Sequence, residues 1–269
     1  MVKLGTLAFG TFTVATLGSL GGTLSIGIFW WIQKPAFGMR KKHIAPLIIV
    51  ILLGYILPFT IQPYLIARIG HGFVGMIVSL VPLLTIIVSI PILGIYPRRK
   101  QLLGVLGGFI CIAFIMADGL ERNVSIPLLI LALIMPLFYA VSNSFIQKSF
   151  KDISSITLSG FCMAISCMAT SPMAIMSETI TISDSLYPAI IAMVIFSILG
   201  RGIGTLLFFR LIMAKGPLFG SMVTYVIPIF VIFWSWVDNE VVTLMQLVAI
   251  TGVLSMVALV QTDITQKVR

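Results

Sequence analysis

Between Gly72 and Ile95 the chain reads GFVGMIVSLVPLLTIIVSIPILGI, an uninterrupted run without a charged side chain. Its polar side chains are Ser79, Thr85 and Ser89. At about 1.5 Å per residue, a helix of this length reaches about 36 Å, enough to cross a bilayer core of about 30 Å. The many β-branched residues would suit a strand in water. In lipid a lone strand leaves its N–H and C=O groups unpaired, so the run must be a helix. Basic residues bracket it, with Arg68 before and Arg98, Arg99 and Lys100 after.

Working outward, eight more apolar runs appear at about 4–33, 44–67, 101–118, 126–147, 154–177, 185–210, 217–237 and 241–261. Nine transmembrane helices are therefore expected in an all-α, polytopic membrane bundle. The 269 residues are 59% hydrophobic and 9% charged, against about 25% charged in soluble domains. Such a chain cannot cover itself with polar surface in water. The connectors are too short to hold an inserted soluble domain. The first run is too long for the core of a signal peptide and reads as a helix that stays. Cys111, Cys162 and Cys167 fall inside apolar runs, without C-x-x-C or Cys/His spacing, and read as small buried hydrophobes. No metal and no cofactor are expected.

The net charge of +9 lies in short loops, a pattern of membrane orientation rather than of nucleic-acid binding. When the sides are numbered alternately, 13 basic residues fall on one side and three (Lys3, Arg68 and Arg122) on the other. Asp118, Glu121, Glu178, Asp184, Asp238 and Glu240 fall on the poorly basic side. The positive-inside rule then puts the C-terminus in the cytoplasm and Met1 outside.

The chain also partly repeats itself at an offset of 146. The pairs are Gly70/Gly216, Phe73/Phe219, Met76/Met222, Pro82/Pro228, Ile86/Ile232 and Ser89/Ser235, with Gly54/Gly200 and Leu65/Leu211 upstream. With one residue fewer, Gln101/Gln246, Leu102/Leu247 and Gly107/Gly252 align. Matched helices are five apart, so the two copies have opposite orientations, an inverted repeat. Residues 1–120 form a first unit of four helices and residues 121–269 a second unit of five. The partner of the 126–147 run would precede Met1: either the start lies further upstream or one helix is missing.

The segment from Lys215 to Ala258, KGPLFGSMVTYVIPIFVIFWSWVDNEVVTLMQLVAITGVLSMVA, resembles the end of an EamA-type transporter of the drug/metabolite transporter superfamily. It has a small-residue turn at Gly216, a helix with a central Pro228, an acidic residue at Glu240, and a last helix with Gln246 and Gly252. The first unit resembles it through Gly70, Pro82, Gln101 and Gly107, and departs near Ile95, where that family has Glu. The resemblance implies a secondary transporter, often an exporter, of small polar or amphipathic metabolites such as amino acids or organic anions. It also implies alternating access, a bacterial inner (plasma) membrane, and ten helices with both ends in the cytoplasm. The expected partners are a small-molecule substrate and the lipid bilayer, with a homodimer as an allowed assembly.

Arg201, within ILGRGIG, is the strongest site signal. A mid-span arginine costs about 2.5–3.5 kcal/mol on insertion scales, so it should face a cavity or a partner. Its planar fork suits a carboxylate or phosphate. The alternative is an arginine that snorkels to the cytoplasmic face. Tyr55 is its counterpart by the repeat. Pro82 and Pro228 sit mid-run and free the carbonyls of Val78 and Thr224, as bends around a central site or as mere kinks. Ser79 and its counterpart Tyr225, with Tyr139, Asn143 and Gln62, complete the polar set. For each of these, helix–helix hydrogen bonding competes with substrate contact. Gly18/Gly22, Gly104/Gly108, Gly200/Gly204 and Gly216/Gly220 have the spacing of close helix packing.

No Asp or Glu lies at the centre of a run, and His43 and His71 lie in loops. An intramembrane enzyme would need an embedded nucleophile and base, paired aspartates or metal ligands, so the chain is not expected to be an enzyme. A transporter and a non-transporting membrane scaffold remain, distinguished by the presence of a cavity. Reporter fusions test the topology. Fusions at Arg99 and Lys151 should report cytoplasm, and fusions at Arg122 and Asp184 the outside. Reversal within either pair would break the nine-helix count.

Overall fold

A computed structural model gives the fold. It describes residues 1–96, 99, 103–104, 106–107, 110–111, 113–114, 117–118, 123–178, 185–221, 223–224, 227, 230, 233–234 and 243–265. Among the described residues every regular element is helical. Six stretches of the described residues are long and apolar enough to cross a membrane: Thr11–Gln33, Lys41–Ile69, His71–Leu93, Ile126–Ser149, Ser155–Met176 and Leu186–Lys215. A shorter apolar helix spans Leu244–Met256. The expected runs at 101–118 and 217–237 fall only in part within the described residues. Leu24, Ile28, Ile48, Ile130, Met168 and Leu207 are exposed on the outer faces of these helices. Apolar surface on that scale is what acyl chains, not water, would cover.

The first run is not one helix from residue 4. Val2–Thr6 forms a short helix, and the long one begins at Thr11. The cause lies far away in sequence. The carboxylate of Glu178 accepts the backbone N–H groups of Phe12 (2.8 Å) and Thr13 (2.7 Å) and the hydroxyl of Thr11 (3.3 Å). It satisfies donors that every helix start leaves open and sits at the positive end of the helix dipole. Gly10 is extended there, and a Cβ on it would collide with that carboxylate.

Thr11–Gln33 then packs along Ser155–Ser177 and across Phe196–Gly204. Small residues set the approach. A Cβ on Gly21 would collide with Ser197, and one on Gly202 with Ser25. Thr16 bonds Thr170 hydroxyl to hydroxyl at 2.8 Å. Helices in lipid associate through this kind of packing and polar contact, because no hydrophobic force drives them together.

Pro82 breaks its span rather than bending it. His71–Val78 ends, Ser79 and Leu80 form a turn, and a new helix runs from Val81 to Leu93 with Pro82 in its first turn. A proline there gives up an N–H that has no intrahelical acceptor. Two other stretches are wound as π-helix, Leu52–Ile56 and Phe196–Gly204. Each is embedded in a long α-helical span.

At the far end of Thr11–Gln33 the loops meet through charge. Lys42 pairs with Asp152 at 2.9 Å, and its hydrogen bond holds the Asp152 carboxyl below the usual carboxylate range. His43 is buried rather than loose in its loop, its ring tilted against Phe150. Its Nδ1 accepts the Arg40 N–H at 3.1 Å, and its Nε2 lies 3.2 Å from Asp152. Asp118 accepts from the Thr243 hydroxyl and the Gln246 amide at the start of the Leu244–Thr265 helix.

Replacing Glu178 by Ala uncovers the N–H groups of Phe12 and Thr13. The expected cost is about 1–2 kcal/mol, as for loss of a helix cap, read as a lower melting temperature of the detergent-solubilised protein. Glu178→Gln should recover part of it. Unchanged melting in the alanine variant would show that the cap stabilises nothing.

Candidate functional site

The helical irregularities converge on one space. A cavity of about 360 Å³ is bounded by Gln62, Tyr139, Asn143, Thr205 and Thr224, with Gly200 and Gly204 at its floor and Val78, Val81, Phe208, Val223 and Ile227 completing the wall. Val78 and Val81 flank the Ser79–Leu80 break, and Gly200 and Gly204 belong to the π-helical segment. Backbone that departs from α-helix is tolerated in a membrane where it is buried in protein or lines a cavity. A second space of about 90 Å³, lined by Gly54, Tyr55, Phe59, Ser142 and Phe209, shares Tyr139, Asn143, Thr205 and Phe208 with the first. The larger volume lies within the range of about 300–1,000 Å³ common for small-molecule pockets. No charged side chain lines either space among the described residues.

Tyr139 and Asn143 are one turn apart on Ile126–Ser149 and face both spaces. Asn143 is buried, and its Nδ2 has no hydrogen-bond partner. A buried donor without an acceptor costs about 1–3 kcal/mol. Native structures keep few such groups, and each calls for a reason. Tyr55 and Thr205 share the wall of the smaller space, with Phe59 and Phe209 edge-on to the Tyr55 ring at 5.1 Å and 6.0 Å. Ser142 donates to the carbonyl of Val50, just ahead of the π-helical Leu52–Ile56.

Arg201 is buried, 4% exposed, near the middle of the Leu186–Lys215 span. It does not snorkel. Nor does it line the cavity: its neighbour Gly200 does, while Arg201 lies toward the Thr11–Gln33 helix. Its guanidinium carbon stands 2.9 Å from the Phe59 ring centre and 5.2 Å from that of Phe196. A Cβ on Gly18 would come within 3.5 Å of Nε. Nη1 has no hydrogen-bond partner. The faces of two rings replace part of the lost hydration, and the cation stays within electrostatic reach of Tyr55 and Tyr139.

Of the residues singled out from sequence, the cavities bring together Tyr55, Tyr139, Asn143 and Gln62, with Arg201 directly behind the wall. Ser79 is not among them, because its hydroxyl is spent on the Met76 carbonyl of its own helix. Tyr225 and Pro228 lie outside the described residues. Thr205 and Ser142 were not singled out from sequence, Gly54 entered only as a repeat match, and Thr224 only through the carbonyl that Pro228 frees. Thr205 directly follows GRGIG, and a π-helical turn there would have turned it toward the site. Among the described residues no cluster of His, Cys, Asp and Glu is arranged to hold a metal.

No curated protein matches the chain. A protein of known crystal structure, 16% identical, superposes with a TM-score of 0.70 over 100% of this chain and 92% of its own. At that identity the likeness is one of fold. The pattern that defines the EamA-like transporter family matches residues 1–117 and again 126–262. The chain therefore belongs to the EamA-like transporter family, within the drug/metabolite transporter superfamily, as an integral membrane protein.

Proposed function

We propose that the chain is a secondary transporter that exports a small metabolite, an amino acid or organic anion, by alternating access around the Tyr139–Asn143–Thr205 cavity. The observation that carries this reading is a mid-membrane cavity whose buried amide donor, Asn143 Nδ2, lacks a partner. A scaffold has no use for such a donor, whereas a solute carboxylate or carbonyl would accept from it.

The architecture behind the reading is nine spans in two inverted units, 1–120 and 121–269, with the C-terminus cytoplasmic. Three features support it. Leu52–Ile56 shifted by 146 falls inside Phe196–Gly204, so the π-helical segments occupy equivalent places. Gly70 (φ 82) and Gly216 (φ 95), also 146 apart, share a conformation that favours glycine. The family pattern matches twice, once in each half. Two like units of opposite orientation around a central site are the usual geometry for rocking transport.

Arg201 supplies positive potential to the site from behind Tyr55 and Tyr139. A mid-span cation without a carboxylate at similar depth favours a solute with an anionic group. Direct contact would need Phe59 to turn away. In reconstituted vesicles, Arg201→Leu should insert normally and abolish flux of the anionic solute. Arg201→Lys keeps charge but loses the flat stack on Phe59, and should raise KM several-fold. Wild-type flux in the leucine variant would remove Arg201 from the site.

Asn143→Leu separates stability from function. It removes an unpartnered donor, so the melting temperature should hold or rise, while transport falls steeply. A marked loss of stability would mean that the amide has a structural partner and the cavity is not built for a solute.

A further inference from the structure

Another concave surface lies on the outside of the bundle, between Thr11–Gln33 and Ser155–Ser177. It encloses about 270 Å³, bounded mainly by Gly27, Trp30, Phe37, Gly160, Phe161 and Ala164. Its glycines are not there for helix packing. A Cβ on Gly27 would meet nothing within 4 Å, and one on Gly160 would touch Ile26 at an ordinary 3.5 Å. Elsewhere on the same helix, Gly21 has a neighbouring helix filling the space. The missing side chains at Gly27 and Gly160 instead leave a furrow open to the membrane.

The furrow runs to the end of the bundle where the chain turns at residues 34–43. Phe37 closes it, edge-on to Phe161 at 5.3 Å. The Thr157 hydroxyl reaches the Ala36 carbonyl at 3.5 Å, and Gly38 lies against Ile153. Lys34 ends the first long helix one turn beyond Trp30, and Lys151 precedes Asp152, whose carbonyl lies by Gly38, so both lysines belong to the loops at this end of the bundle. Asp152, the local carboxylate, is engaged by Lys42 and His43. Lys34 and Lys151 make no ion pair among the described residues. The start of Ser155–Ser177 adds the positive end of its dipole to the same spot.

We propose that this furrow binds an anionic phospholipid, one acyl chain lying over Gly27 and Gly160 and the phosphate held between Lys34 and Lys151. An apolar furrow between helices that opens at a cluster of unpaired lysines is the arrangement by which membrane proteins select acidic headgroups. The lipid belongs to the cytoplasmic leaflet, a point that rests on the orientation proposed above; binding itself does not.

Native mass spectrometry of the purified full-length chain, with phosphatidylglycerol or phosphatidylcholine of identical acyl chains added, tests the site without reference to transport. Phosphatidylglycerol should bind in preference by on the order of tenfold, from two favourable charges. Lys34→Gln with Lys151→Gln should erase that preference and leave weak binding of both lipids. Gly27→Leu fills open space, so the fold and melting temperature should hold while the bound lipid is lost. Equal binding of the two lipids by the unaltered chain would overturn the proposal. So would undiminished phosphatidylglycerol binding in Gly27→Leu. Displacement of the lipid by millimolar inorganic phosphate would also overturn it, because the site would then be one for a free anion.

Discussion

A bilayer offers no hydrogen bonds, so every backbone N–H and C=O in it must find a partner within the protein. The rest of this structure follows from that constraint. It makes all the described spans helical, and it makes each departure from regular helix costly unless polar groups or enclosed space surround it. The departures here are not scattered. The π-helical segment Phe196–Gly204 and the Ser79–Leu80 break both border the larger cavity, while Gly54 and Tyr55 of Leu52–Ile56 border the smaller one. The chain spends its irregularity where a solute would need room and exposed polar groups.

Arg201 illustrates how the same constraint handles a charge. Among the described residues no carboxylate pairs with it, and the guanidinium is enclosed by Phe59, Phe196 and the bare backbone of Gly18. Glycines on Thr11–Gln33 thus serve two ends: they let this helix approach Phe196–Gly204, and they make room for the cation between them. In the proposed function, a cation fixed one layer behind a wall of Tyr55 and Tyr139 would bias the cavity toward anions without filling it. At the helix's start the charge logic is reversed. There Glu178 completes a terminus that its own sequence leaves uncapped.

How much of this could be read from the residues depended on distance along the chain. Apolar runs are local, so the span at 71–93 and its neighbours were plain. The depth of Arg201, and with it the cost of idling there, was equally local. Its direction was not. Side-chain facing is reckoned from a period of 3.6 residues, and a π-helical turn changes that period, so Arg201 points away from the cavity that Gly200 lines. Thr205 entered the site unannounced for the same reason. The start of the first long helix at Thr11 rests on Glu178, 166 residues from Phe12. The break near Pro82 was visible as a proline, but whether it bends or ends a helix is decided by Ser79 and Leu80 around it.

The central claim is that the Tyr139–Asn143–Thr205 cavity is a solute site open in turn to each face of the membrane. The direct measurement is thiol labelling at Thr205→Cys, in a chain whose Cys111, Cys162 and Cys167 are replaced by Ser. Its readout is modification by a membrane-impermeant reagent added from one side at a time. The account predicts labelling from both sides, slowed from both by transported solute. Failure to label from either side, with the protein folded, would contradict it.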